Sequence, residues 1–168
     1  AEVQQYKKRT TLIEWVENFL RPLGAQLVRA PSEDGRKSNL WARFGPDEPG
    51  GIVLSGHTDV VPVDGQPWVT NPWDMIERDG KWFGRGTCDM KAGILAGIYA
   101  IDALDHVGWE DYGQITFVVV SDEEIGERHS VELLMREGER HDAVLTLEAA
   151  RENGDIVTAR KAGCWLTR

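Results

Sequence analysis

The sequence predicts an α/β fold, a three-layer αβα domain on a mainly parallel mixed sheet. Two observations carry this. Short apolar runs of strand length alternate with helix-period segments along the chain. The run at 52–54 is continuously apolar and those at 115–120 and 143–147 largely so, as expected of strands covered on both faces. A third signal, Asp79-Gly80 inside 75–84, marks a hairpin and so some antiparallel pairing at an edge.

The elements follow in order. Thr11 to Glu14 fits a capping box. Leu12, Ile13, Val16, Phe19 and Leu20 then recur at helical spacing, and Pro22 with Gly24 ends that helix near Leu23. Residues 26–29 read as a short strand, and 38–44 as another with Leu40, Ala42 and Phe44 alternating. Turn residues fill 45–51. A long helix is expected over 90–104, its core side formed by Ile94, Leu95, Ile98, Ile101 and Leu104. Residues 115–120 are rich in β-branched side chains. A helix over 131–137, a strand over 143–147 and a last strand over 156–159 complete the pattern.

The 168 residues suffice for one domain with a sizeable core. A net charge of -9 argues against nucleic acid or an anionic membrane as partner. No apolar stretch is long enough to span a bilayer, and without a basic-then-apolar opening no signal peptide is expected. Cys88 and Cys164 form no CxxC pair, so free thiols and a cytoplasmic location are expected.

The chemistry lies at the ends of the strands. His57 and Asp59 follow the run at 52–54; Asp122, Glu123 and Glu124 follow 115–120; Glu148 follows 143–147; Asp89 precedes the long helix. Each has an ordinary reading alone: a surface His–Asp pair, a solvated acidic loop, a helix cap at Asp89. Together they would meet in the crevice beyond the carboxyl ends of an open α/β sheet. So many acids in one place require protons or cations. Imidazole with carboxylates suits zinc, and also cobalt or manganese. Asp59 is then expected to accept from the second ring nitrogen of His57 and fix its tautomer.

Three segments carry a resemblance: LSGHTDVVPVDGQPW (54–68), GRGTCDMKAG (84–93) and SDEEIG (121–126). They resemble the M20 family of zinc aminoacylases and peptidases, which includes acetylornithine deacetylases, succinyl-diaminopimelate desuccinylases and glutamate carboxypeptidases. The stretch LEAARENGDIVTARKAG (147–163) is similar to the carboxypeptidase branch.

The resemblance implies two Zn2+ ions, with Co2+ or Mn2+ as substitutes. His57 and Glu148 would bind one metal, Glu124 the other, and Asp89 would bridge them. Glu123 would be the general base for a water attacking the amide of an N-acyl amino acid or short peptide. Asp59 would assist His57. A cis peptide after Asp89 is implied as well.

The resemblance also implies that residues 1–168 are a single partial catalytic domain, lacking a lid that commonly makes a homodimer and a return segment with a second histidine ligand. Little turnover by the isolated chain is expected on that ground. His106, His129 and His141 lack the context of that ligand and read as surface residues. Ala149 stands where members often have proline.

Overall fold

The computed structural model describes residues 12–149, 151 and 153–158. The capping box at Thr11 and the end of the last expected strand at Ala159 lie outside them.

Residues 12–20 are helical (α1), and a short 3-10 turn, Arg21–Leu23, ends at Gly24 with φ 86°. Among the described residues five strands form one sheet: β1 (Gln26–Pro31), β2 (Ser38–Phe44), β3 (Ile52–His57) and, later in the chain, two more. Between them β4 (Ile76–Arg78) and β5 (Lys81–Phe83) make a separate hairpin. Its turn is Asp79-Gly80, with φ 55° and 70°, the left-handed pair that a tight two-residue hairpin turn requires. The long helix α2 (Ala92–His106) follows an irregular turn at Thr87–Lys91. Then come β6 (Ile115–Val120), α3 (Val131–Arg140) and β7 (Ala143–Thr146).

The sheet order is β1-β2-β6-β3-β7. β6 pairs parallel with β3, and β3 with β7; β1 with β2 and β2 with β6 are antiparallel. The sheet is therefore mixed, and its antiparallel part is two pairings wide rather than a single edge. The β4–β5 hairpin is not part of it. Residues 156–158 form no strand, so the expectation there fails. Ile156 and Val157 are exposed, so the apolar pattern that suggested a strand finds no partner to bury it.

Two cores explain the layers. On one face Ile13, Val16 and Leu20 of α1 and Ile94, Ile98 and Ile101 of α2 pack on Leu40, Leu54, Phe117 and Val119. On the other, Leu133 and Leu134 of α3 cover Val53, Val118 and Val120. β6 is buried along its whole length, and each of its apolar side chains contributes roughly 1.5–3 kcal/mol relative to exposure. The parallel trio β3, β6 and β7 ends on one side, and every candidate acid comes from a segment at that side. Among the described residues no helix is long and apolar enough to cross a membrane.

Candidate metal centre

His57 is the last residue of β3 and is 2% exposed. Its backbone N–H donates to the Met90 sulfur at 3.0 Å. Gly56 lets Met90 come this close: a Cβ there would lie 3.0 Å from Met90 Cε and from Ile94 Cγ1. The ring is held at both nitrogens. Nδ1 lies 3.0 Å from the Asp59 backbone oxygen and 3.6 Å from its carboxylate. Nε2 faces Asp89 Oδ1 at 3.1 Å, Glu148 Oε1 at 3.3 Å and Glu123 Oε2 at 3.9 Å.

The expected Asp59–His57 contact is thus made chiefly through the Asp59 backbone oxygen. Nδ1–H donates to it, which leaves Nε2 turned toward the acids, where it donates to them when protonated and is free to ligate a cation once that proton is lost. The Asp59 carboxylate, 1% exposed, does something the sequence did not reveal. It accepts from Glu123 N at 3.2 Å and Glu124 N at 3.1 Å. A partner 64 or 65 residues away leaves no mark on local spacing.

Asp89 sits inside the Thr87–Lys91 turn with extended φ and ψ of -112° and 99°, and the Asp89–Met90 peptide is cis. Glu123 and Glu124 open a 3-10 turn, Glu123–Ile125, directly after β6. Glu148 follows β7, where the Leu147 N–H donates to Ser55 O at 2.9 Å and so continues the β3–β7 ladder. The structure therefore brings His57, Asp59, Asp89, Glu123, Glu124 and Glu148 to one place. Ligand atoms of His57, Asp89 and Glu124 lie within 4.8 Å of one another, which makes them a possible metal-binding triad. His106 and His129 are exposed, as expected.

His141 is not the surface residue expected. It is 8% exposed, with Nε2 3.0 Å from Thr116 Oγ1 and Nδ1 2.7 Å from Glu137 O. It ties the end of α3 to β6, and a single-residue reading could not see that a residue just past a helix turns under it.

The electrostatics follow from crowding. Burial pulls the His57 pKa down, but the Asp59 hydrogen bond and charge, with the charges of Glu148 and Glu123, outweigh it and raise it to about 9. Burial pushes Asp59 up, and its bond and attraction to His57 more than reverse that, so it stays low and anionic. Burial raises Glu123, opposed by His57 and reinforced by Glu124, Glu148 and Asp59. Glu124 is raised by burial and by Asp89. One imidazolium faces several carboxylates, and a divalent cation is the species that would balance them; the N,O donor set fits one.

A pH prediction follows from these directions. A cation at Nε2 must displace the His57 proton, so uptake at pH 7 releases about one proton and apparent affinity rises about tenfold per pH unit, levelling near pH 9. In the metal-free chain the sign is opposite. The raised pKa contributes stability that is complete below 6.5 and lost as pH climbs to about 9. Calorimetric titration in buffers of different ionisation enthalpy, with melting curves across pH 6–10, checks both slopes. Metal uptake with no proton release would contradict the assignment of Nε2.

Comparison with known proteins bears on this geometry. The model of Peptidase family M20/M25/M40 matches residues 53–159. An acetylornithine deacetylase of Pasteurella multocida (strain Pm70) is 45% identical over 96 residues, covering 56% of this chain and 25% of the relative. A succinyl-diaminopimelate desuccinylase of Alkalilimnicola ehrlichii is 36% identical over 151 residues, 86% of this chain and 40% of the relative. The chain thus spans well under half of either protein's length. Human carnosine dipeptidase 1 superposes with a TM-score of 0.72 at 27% identity, over 86% of this chain and 34% of that one. An M20 family metallo-carboxypeptidase, Sso-CP2 from Sulfolobus solfataricus, shares the fold, with a TM-score of 0.68 at 22% identity over 88% of this chain and 33% of that one.

Proposed function

The chain belongs to peptidase family M20/M25/M40, and from that premise we propose that it carries the metal-binding and base-bearing part of an amidohydrolase acting on an N-acyl amino acid. The carrying observation is the convergence on His57 Nε2 of Asp89 at 3.1 Å and Glu148 at 3.3 Å, with Glu123 at 3.9 Å. The roles proposed are His57, Asp89, Glu124 and Glu148 as ligands, Glu123 as general base and Asp59 as the partner orienting His57. Zinc is the cation proposed, with cobalt or manganese as substitutes.

A bound divalent cation supplies Lewis acidity, polarising the amide carbonyl and acidifying water. The rest falls to the chain. Glu123, 43% exposed at the rim and raised above the usual carboxylate range, takes a proton from the attacking water. It then returns that proton to the departing amine nitrogen, leaving a carboxylate and a free amine. Asp59 keeps His57 oriented through its backbone oxygen and holds the Glu123 amide through its anionic carboxylate, so base and ligand keep their spacing.

The acyl amino acid reading follows the deacetylase and desuccinylase relatives. A dipeptidase or carboxypeptidase reading is favoured by the dipeptidase neighbour. A second histidine ligand, a lid and a homodimer interface supplied by further chain belong to the same proposal, as does a cytoplasmic location consistent with the free Cys88 thiol.

The test is amine release from N-acetylornithine, N-succinyl-diaminopimelate and a dipeptide by the zinc- or cobalt-loaded protein. One of these is turned over, and Glu123→Gln cuts the rate by about 10²–10⁴ with metal content unchanged. Metal bound with no turnover of any substrate would leave a metal-binding fragment as the function, and metal lost in Glu123→Gln would make Glu123 a ligand rather than a base.

A further inference from the structure

The loop from Ser121 to Ser130 carries both Glu123 and Glu124; it leaves β6 at one buried residue, Ser121, and enters α3 at another, Ser130. Three acceptors restrain it. From the site side, the Asp59 carboxylate takes the Glu123 and Glu124 amides. From within, Asp122 Oδ2 accepts from His129 N at 2.5 Å, and Asp122 O accepts from Glu127 N at 2.8 Å. From below comes Asn39, a β2 residue only 3% exposed that plays no part in the chemistry described so far. Its Oδ1 accepts from Ser121 N at 3.0 Å and Ser121 Oγ at 3.1 Å, while Nδ2 donates to His129 O at 3.4 Å.

We propose that Asn39 is a positioning residue that clasps both ends of the Ser121–His129 loop and thereby sets Glu123 and Glu124 at the metal cluster. The proposal rests on the metal-site reading above. Burying a carboxamide is unfavourable unless its hydrogen bonds are met, and Asn39 shares its face of β2 with Trp41, which packs on the apolar cluster of Val53, Val118 and Val120. The amide instead satisfies backbone groups of the loop at positions that bracket the acid pair. With Asp59 above and Asn39 below, the turn is gripped between β3's end and β2, strands that flank β6 on opposite sides. Neither contact is visible in local sequence, since Asn39 and Ser121 are 82 residues apart.

The test compares Asn39→Leu with Thr116→Val in the full chain. The second variant removes a buried bond to His141, 3.0 Å long, near the other end of β6, and serves as a control for general destabilisation. Hydrogen exchange of residues 121–130 and cobalt(II) titration are the readouts. Asn39→Leu is expected to speed exchange in the loop about tenfold and weaken cobalt binding about tenfold, while Thr116→Val lowers Tm and leaves both readouts at wild-type values. Unchanged exchange and unchanged cobalt affinity in a folded Asn39→Leu chain overturn the proposal, and so does equal weakening in Thr116→Val. Should Asn39→Leu not fold, Asn39→Asp at pH 8 keeps the acceptor and loses the donor. Faster exchange confined to 127–130 supports the clasp, and an unaltered loop overturns it. A wild-type chain that takes up no cobalt removes the metal reading itself, a failure distinct from one in which the wild type binds and the variants match it.

Discussion

Replacing His57 by Ala leaves the chain unable to retain zinc through dialysis, where the wild type retains about one ion per chain. His57 is the one imidazole among the described residues of the cluster, and its Nε2 is the point on which Asp89 and Glu148 converge. Carboxylates alone suit hard, oxygen-seeking cations, so what binding survives shifts toward magnesium, calcium or manganese. The metal-free protein suffers too. His57 is 2% exposed and carries the positive charge that Asp59, Glu148 and Glu123 face. Its removal opens a cavity and leaves acids facing acids, a loss on the order of 2–4 kcal/mol. That corresponds to roughly 5–15 °C in Tm for a chain of this size. Elemental analysis after dialysis and a melting curve read the two effects separately, and zinc retained by a folded variant would remove His57 from the ligand set.

The second large effect is expected at Asp59. Its carboxylate joins two functions, charge beside His57 and the grip on the Glu123 and Glu124 amides. Asp59→Ala abolishes both, leaving two amides without their acceptor at a cost of about 1–3 kcal/mol. Metal affinity falls about 10–100-fold, the usual effect of losing a partner that holds a ligand in place, here the acceptor of the Glu124 amide. Asp59→Asn separates the functions. An acceptor oxygen remains for the turn, but the charge that raises His57 is gone, so the His57 pKa falls from about 9 toward its ordinary value. An NMR titration of the His57 ring and a zinc competition assay measure these outcomes. A His57 pKa still near 9 in Asp59→Asn would show that the other acids, not Asp59, hold the proton there.

Much of the site was legible because it obeys a rule of place. His57, Asp122 to Glu124 and Glu148 each follow an apolar run, and parallel strands end together. What pattern could not supply were contacts between segments far apart in the chain. The Asp59 grip on the acid turn, the Asn39 clasp and the Met90 sulfur under the His57 amide all join residues more than 30 apart. His141 was misread because a residue just past α3 reads as exposed until β6 supplies Thr116 as its partner. The extent of antiparallel pairing was understated for a similar reason. Alternation at Leu40, Ala42 and Phe44 fixes a strand but not the direction of its neighbour β6. The final strand over 156–159 was drawn from residues whose apolar side chains lie exposed at 156 and 157.

X-ray absorption at the zinc edge of the zinc-loaded chain reads the ligand atoms around the metal themselves. Imidazole scattering from one histidine together with carboxylate oxygens is expected at about 2.0–2.2 Å, with loss of the imidazole signature in His57→Ala. Zinc surrounded by oxygen alone in the wild type, or the same spectrum in the variant, would contradict a metal centre built on His57.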